Sequence, residues 1–227
     1  KIEGSGERGE KILVRNHYDP FIEAEYLTER IRELHEQGLP YREIAVFYRV
    51  QKQAEILEKV FERAELPYVL PAKQKEDEDP VPERPHMIRE YVAEGKLNAV
   101  SGEHTMEKAA DTERQTEEED AVHLMTLHAS KGLEFPIVYM TGLEDGLFPS
   151  YMTIMSDDPT EVEEERRLCY VGITRAQKEL NISAAKTRMI HGETQMNKVS
   201  RFVKEIPENL LEVENHSYGS KKRAISF

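Results

Sequence analysis

The 227-residue sequence lacks several features that define common protein classes. It has no segment of the form G-x-x-x-x-G-K-[ST], so it carries no phosphate-binding loop of that type. Its single cysteine, Cys169, excludes an intrachain disulfide and favours a reducing, cytoplasmic location. The longest apolar runs are too short to cross a membrane, and no charged-then-apolar leader opens the chain. Because the chain begins at Lys1 rather than at a methionine, we expect a piece of a longer protein.

Positive charge is outnumbered, since 44 aspartate and glutamate residues against 31 lysine and arginine residues give a formal net charge of -13 at pH 7. An acidic surface opposes nucleic-acid binding, which depends on lysine and arginine displacing counterions from phosphates. The acids are unevenly distributed, however, with one dense stretch from Lys73 to Asp120 and a second from Glu161 to Glu165. We interpret the second stretch as a solvated helix start. A locally neutral or positive groove remains compatible with this composition.

Strands and helices alternate in the hydrophobic pattern on both sides of residues 71–120. The pattern predicts strands at 12–14, 44–48, 66–70, 122–127, 136–141 and 180–184, and helices at 20–37, 53–64, 161–176 and 200–206. Residues 71–120 hold several prolines, many charges and few aliphatic side chains, which indicates a mobile or partly helical insertion. The alternating order favours an α/β fold with a mainly parallel sheet flanked by helices.

The segment from Thr126 to Pro136 reads TLHASKGLEFP and follows a predicted strand. Ligands of open α/β folds bind where strands end, so we expect this whole segment to form a loop at the carboxyl end of the sheet. There Thr126 and His128 have donors for phosphates, Lys131 can pair with acids or phosphates, and Glu134 can accept from sugar hydroxyls. A packed turn whose polar groups satisfy one another is the structural alternative.

A second segment, from Glu163 to Ala176, reads EEERRLCYVGITRA. Helical spacing places Leu168 and Gly172 on an inner face, and Cys169 is expected to pack in the core. Arg175 then lies near the helix end, where any cation is favoured by the helix dipole. Its functional alternative is an arginine finger, because a guanidinium can neutralise charge on a transferring phosphoryl group.

Taken in order and at this separation, the two segments resemble the last two signature motifs of UvrD/PcrA/Rep-type superfamily 1 DNA helicases. The resemblance covers residues 11–70 and 120–212 and is strongest between Val122 and Leu180. It implies the second RecA-like motor domain, 2A, of P-loop NTPase type but without its own phosphate-binding loop. In this interpretation 1–70 and 121–212 form domain 2A, 71–120 takes the place of the 2B insertion, and 213–227 is a C-terminal tail.

The same resemblance implies roles for individual residues. Arg175 is expected to contact the γ-phosphate of ATP and Glu134 its ribose, while Thr126 and His128 contact single-stranded DNA. Lys131 is expected to help couple the two sites. The family's Mg²⁺ ligands belong to the first motor domain, which this sequence lacks, so the chain alone is expected to be inactive.

The function implied is that of an ATP-dependent 3′–5′ DNA helicase or translocase in repair or replication. Its expected partners are single-stranded DNA, the missing first RecA-like domain, and a repair or transcription protein. Two alternatives stay open at this point. One is a helicase-like docking module without motor activity, and the other is the helicase portion of an AddA/RecB-type helicase-nuclease.

Overall fold

The computed structural model describes residues 10–71, 120–190 and 193–215. The segment expected to be an insertion lies outside these ranges except for its two end residues, and so does most of the expected tail. The strands are Ile12–His17 (β1), Ile44–Tyr48 (β2), Tyr68–Val69 (β3), Val122–Thr126 (β4), Phe135–Met140 (β5), Ala176–Ala185 (β6), Thr187–Ile190 (β7), Glu193–Met196 (β8) and Leu211–Asn215 (β9). The helices are Pro20–Glu36 (α1), Gln51–Arg63 (α2), Tyr151–Met155 (α3), Pro159–Ile173 (α4) and Arg201–Lys204 (α5), with 3₁₀ turns at Tyr41–Glu43 and Glu208–Leu210.

Helix α1 begins and ends close to where the sequence predicts. The Asp19 side chain accepts hydrogen bonds from the backbone N–H groups of Phe21 and Ile22, both at 2.9 Å, and so caps the first turn. After the last turn Gly38 has a φ of +97°, a conformation that glycine adopts without a steric penalty. Local side-chain chemistry therefore sets both ends of this helix.

Seven strands form one sheet in the order β3-β4-β2-β5-β6-β1-β9, and every neighbouring pair is parallel. All seven therefore end on the same side of the sheet, which we call its carboxyl end, and begin at the opposite, amino end. Successive residues of β2 face opposite ways, so Val46 packs beneath α1 and α2 while Phe47 packs beneath α4 and α5. The expected parallel sheet flanked by helices is confirmed.

Four features were not predicted from the pattern: the hairpin β7–β8, helix α3, strand β9 and the first four residues of β6. These segments bury little apolar surface, so the hydrophobic pattern gives no signal for them. In β6, Gln177 and Lys178 are exposed. Strand β9 alternates Leu-Glu-Val-Glu, pairs with β1 and carries a 2.8 Å ion pair between Arg15 and Glu214. The sheet thus extends to Asn215, three residues into the segment 213–227 that was expected to be a tail.

A buried ionic cluster joins the hairpin to the carboxyl end of the sheet. Arg188 of β7 lies 2.9 Å from a carboxylate oxygen of Glu23 and 2.7 Å from one of Glu144, and each of the three is at most 6% exposed. Burial alone would lower the pKa of the Arg188 guanidinium, but the two carboxylates raise it above its ordinary value. The two carboxylates accept further hydrogen bonds. The Ser183 hydroxyl and the Gly142 N–H donate to Glu23, and the Asn197 amide and the Ala185 N–H donate to Glu144.

We predict that Arg188→Met lowers the free energy of unfolding by about 3–5 kcal/mol, because it leaves two carboxylates buried without their cation. Urea unfolding of the chain followed by circular dichroism measures this loss. The control is Arg166→Ala, which removes a pair with Glu205 on the surface and should cost less than about 1 kcal/mol. Equal effects of the two substitutions would contradict a structural role for the buried cluster.

Candidate functional site

The loop that follows β4, residues 127–134, begins as a hydrogen-bonded turn. The Thr126 hydroxyl accepts from the Ala129 N–H at 3.1 Å, and the Ser130 hydroxyl donates to the Leu127 carbonyl at 2.8 Å. Leu127 and Ser130 are buried and hold the turn against the sheet. His128 is exposed at the top of this turn and Lys131 is exposed further along the loop. The hydrogen-bonded turn therefore holds the backbone in place while the side chains of His128 and Lys131 are exposed to solvent.

This loop does not stay at the carboxyl end of the sheet, as the sequence analysis expected. Strands β4 and β5 both run parallel to β2, with Thr126 paired to Tyr48 at the end of β2 and Ile137 paired to Ile44 at its start. The chain must therefore cross from the carboxyl end to the amino end before β5 can begin. Thr126 and His128 lie at the carboxyl end, and Glu134 lies at the amino end. The expectation was right for the first two residues and wrong for Glu134.

Arg175 lies at the amino end as well, between the last residue of α4 and the first of β6. Its guanidinium donates to the carbonyls of Val171 and Leu133, both at 3.0 Å, and to the Thr174 hydroxyl at 3.1 Å. An arginine side chain has five N–H donors, so these three bonds leave two for a ligand. The side chain is half-buried, and its orientation is held by the backbone of the loop that carries Glu134.

Glu134 is exposed next to this arginine. One of its carboxylate oxygens accepts from the Gln177 amide at 3.3 Å, and the backbone N–H of Phe135 donates to the Arg175 carbonyl at 2.9 Å. The structure thus brings Arg175 and Glu134 together at the amino end. It does not bring them to Thr126 and His128, which lie across the sheet. Gln177 was missed because a single polar residue after the second motif carries no distinctive signal.

Helix α4 packs directly on the crossing loop. A Cβ atom built on Gly172 would lie 2.5 Å from Cδ2 of Leu127 and 2.8 Å from Cε of Met140, so a larger residue here would require both side chains to move. Cys169, one turn earlier, is 4% exposed, and burial raises the pKa of its thiol to about 12. The expectation that Cys169 packs in the core is confirmed, and its burial disfavours the reactive thiolate form.

Glu165 was expected to belong to a solvated helix start, and this expectation is wrong. Its carboxylate is buried and accepts from the Arg49 guanidinium at 3.2 Å and the Ser150 N–H at 3.0 Å. Its spacing of four and seven residues from Cys169 and Gly172, on the inner face of α4, was the available sequence signal. Through Glu165, α4 is also bonded to the carboxyl end of the sheet.

The described residues contain no group of three or more histidine, cysteine, aspartate or glutamate side chains arranged to hold a metal ion. Among those same residues, no helix is long and apolar enough to cross a membrane.

Comparison with known proteins identifies close relatives of part of the chain. Over 108 residues, 48% of this chain, it is 53% identical to the ATP-dependent DNA helicase PcrA of Staphylococcus aureus strain Mu50. Over 112 residues it is 52% identical to the PcrA of Staphylococcus epidermidis strain ATCC 12228. The matched regions make up only 14% and 15% of the length of these relatives.

A solved structure shares the fold over nearly the whole chain. It is the C-terminal domain of a possible DNA helicase from Lactobacillus plantarum WCFS1, with a TM-score of 0.52 at 14% identity, and it covers 91% of this chain and 86% of that one. The family model of the UvrD-like helicase C-terminal domain matches residues 1–76 and 83–187, well over half of the sequence. The chain therefore belongs to the UvrD-like helicase C-terminal domain family.

Proposed function

We propose that this chain is the second motor domain of an ATP-dependent 3′–5′ DNA helicase or translocase that acts in repair or replication. The observation that carries the proposal is that the Arg175 side chain is bonded to the Leu133 carbonyl, next to Glu134, at the amino end of the sheet, whereas Thr126 and His128 lie at the carboxyl end. Two ligand sites on opposite ends of one sheet, joined by a single loop, suit a motor that links nucleotide hydrolysis to movement along a strand. The relatives named above are ATP-dependent DNA helicases, which supports the same reading.

The amino end fits one side of a nucleotide site. Arg175 has two N–H groups left to donate to phosphate oxygens, and the exposed Glu134 carboxylate can accept from ribose hydroxyls. Because the chain has no phosphate-binding loop, the opposite side of that site belongs to a first motor domain. That domain would also provide the acidic ligands of Mg²⁺. Segments 1–70 and 121–215 then form domain 2A, since β9 ends at Asn215; 71–120 takes the place of 2B, and 216–227 is the tail.

The carboxyl end fits a strand of nucleic acid. His128 and Lys131 are exposed on the loop and can donate to backbone phosphates, and the Thr126 turn holds the loop that carries them. The short crossing loop is anchored at its start by Leu127 beneath Gly172 and at its end by the Arg175 side chain. A shift at either end of the sheet is therefore transmitted along a loop of only eight residues, between β4 and β5. Lys131 lies on this loop, and in this proposal it helps to couple the two sites.

In the full-length protein, we expect Arg175→Ala to reduce single-turnover ATP hydrolysis with saturating single-stranded DNA by about 10³-fold or more. Nucleotide binding should be nearly kept, because the guanidinium acts on charge that develops in the transition state. Arg175→Lys keeps the charge but loses the planar fork, so its rate should fall in between. Arg167→Ala is the matched control, since it removes an exposed arginine from α4, the helix that directly precedes Arg175. An unchanged rate for Arg175→Ala would leave a docking module as the better interpretation.

We expect Lys131→Ala to weaken single-stranded DNA binding and to reduce the slope of log affinity against log salt by about 0.7, the value for one phosphate contact on a single strand. His128→Ala should weaken binding as well. Fluorescence anisotropy with labelled oligo-dT at several salt concentrations measures both quantities. Lys59→Ala, an exposed lysine in the second half of α2, is the control and should leave the slope unchanged. If all three variants behave alike, the loop does not contact the strand.

A further inference from the structure

Two exposed aromatic side chains lie between the end of β1 and the first turn of α1. Tyr18 is 55% exposed and Phe21 is 53% exposed. Their positions are fixed by the backbone around them. The Tyr18 carbonyl accepts from the Thr187 N–H at 3.0 Å and from its hydroxyl at 2.8 Å, and the Phe21 N–H donates to Asp19 at 2.9 Å. Because the backbone that carries these rings is held in place, little conformational entropy is lost when a ligand binds them.

The two rings lie at the same end of the sheet as Thr126. Tyr18 directly follows the last residue of β1, and all strands end on this side. From β4 to β1 the sheet order is β4-β2-β5-β6-β1. Four strand spacings of about 4.8 Å separate the two sites by about 19 Å. A stacked single strand, with a rise of about 3.4 Å per nucleotide, covers this distance with at most about six nucleotides.

Positive side chains lie along the same end. Lys52, in the first turn of α2, and Lys186, which directly follows β6, are both exposed. Asp19, which lies between the two rings in the sequence, already accepts two backbone hydrogen bonds at the start of α1, where the helix dipole favours a negative charge. Separate aromatic rings combined with cations are the surface chemistry by which proteins bind single strands without sequence preference. A protein partner would instead favour a continuous apolar patch.

The geometry points to a base-stacking platform formed by Tyr18 and Phe21, on which single-stranded DNA stacks after passing Lys52 and Lys186. This inference rests on the proposed function, since it extends the strand path that begins at Thr126 and His128. The ligand is the nucleobase face, which every base provides, so the platform binds without regard to sequence. Phosphates between the two sites are contacted by the lysines.

The test uses the full-length protein and a fluorescein-labelled oligo-dT of 16 nucleotides, followed by anisotropy. Phe21→Ala and Tyr18→Ala should each lower affinity roughly 5- to 100-fold, the range for loss of one stacked base. The salt dependence should stay unchanged, since neither ring neutralises a phosphate. Phe21→Leu should lose as much affinity as Phe21→Ala, because leucine keeps apolar area but has no ring face on which a base can stack. Phe21→Tyr keeps a ring and should bind like the wild type. Tyr170→Ala, which removes a 60% exposed ring from α4, is the matched control.

Parallel titrations of His128→Ala and Lys131→Ala separate this inference from the function on which it rests. If those two variants bind weakly while both aromatic-to-alanine variants bind normally, the platform is overturned and the proposed function stands. If His128→Ala and Lys131→Ala also bind normally, and Arg175→Ala hydrolyses ATP normally, the proposed function fails as well. Full affinity for Phe21→Leu would also overturn the platform, because an apolar contact without stacking would then suffice.

Discussion

The common direction of the seven strands is the constraint on which the arrangement of this domain depends. Because every strand begins at one end of the sheet and finishes at the other, any chain that leaves β4 must cross the sheet before it can enter β5. That crossing places the polar residues of one short sequence segment at two opposite ends. Thr126 and His128 remain where β4 ends, while Glu134 arrives beside Arg175 where β5 and β6 begin. The proposed function needs this separation together with a physical link, because it assigns nucleotide hydrolysis to one end of the sheet and movement of a strand to the other.

Buried polar groups hold the carboxyl end of the sheet in one arrangement. Arg188 joins the hairpin to Glu23 of α1 and to Glu144 after β5, and Glu165 joins α4 to Arg49 after β2. The buried carboxylates are tolerated because each accepts several hydrogen bonds, and such contacts restrict geometry more sharply than apolar packing does. Part of the chain's large acidic excess is thus structural, since these carboxylates lie inside the fold rather than on a surface that repels DNA.

Most of the fold could be predicted from the sequence because the responsible signals are local. Strand β2 was predicted at its observed bounds, since its apolar run Ile-Ala-Val-Phe-Tyr is buried throughout. Helix α1 was predicted from Asp19 at its start and Gly38 at its end. The hairpin and β9 could not be predicted, because their strands carry few apolar residues. Strand β9 is stabilised by pairing with the distant β1, and the hairpin is held by the ion pairs of Arg188 with Glu23 and Glu144. Glu165 was misread for a related reason, since its neighbours in sequence are exposed acids while its partners lie in other elements.

The sequence by itself determined the order of the main buried strands and helices, the parallel α/β class and the two motifs that identify the family, because hydrophobic periodicity and a run of specific residues are properties of neighbouring positions. Only the tertiary structure decided which motif residues share a site. Glu134 is closer in sequence to His128 than to Arg175, yet it lies beside Arg175, because parallel strands bring segments together by where they begin rather than by their distance along the chain.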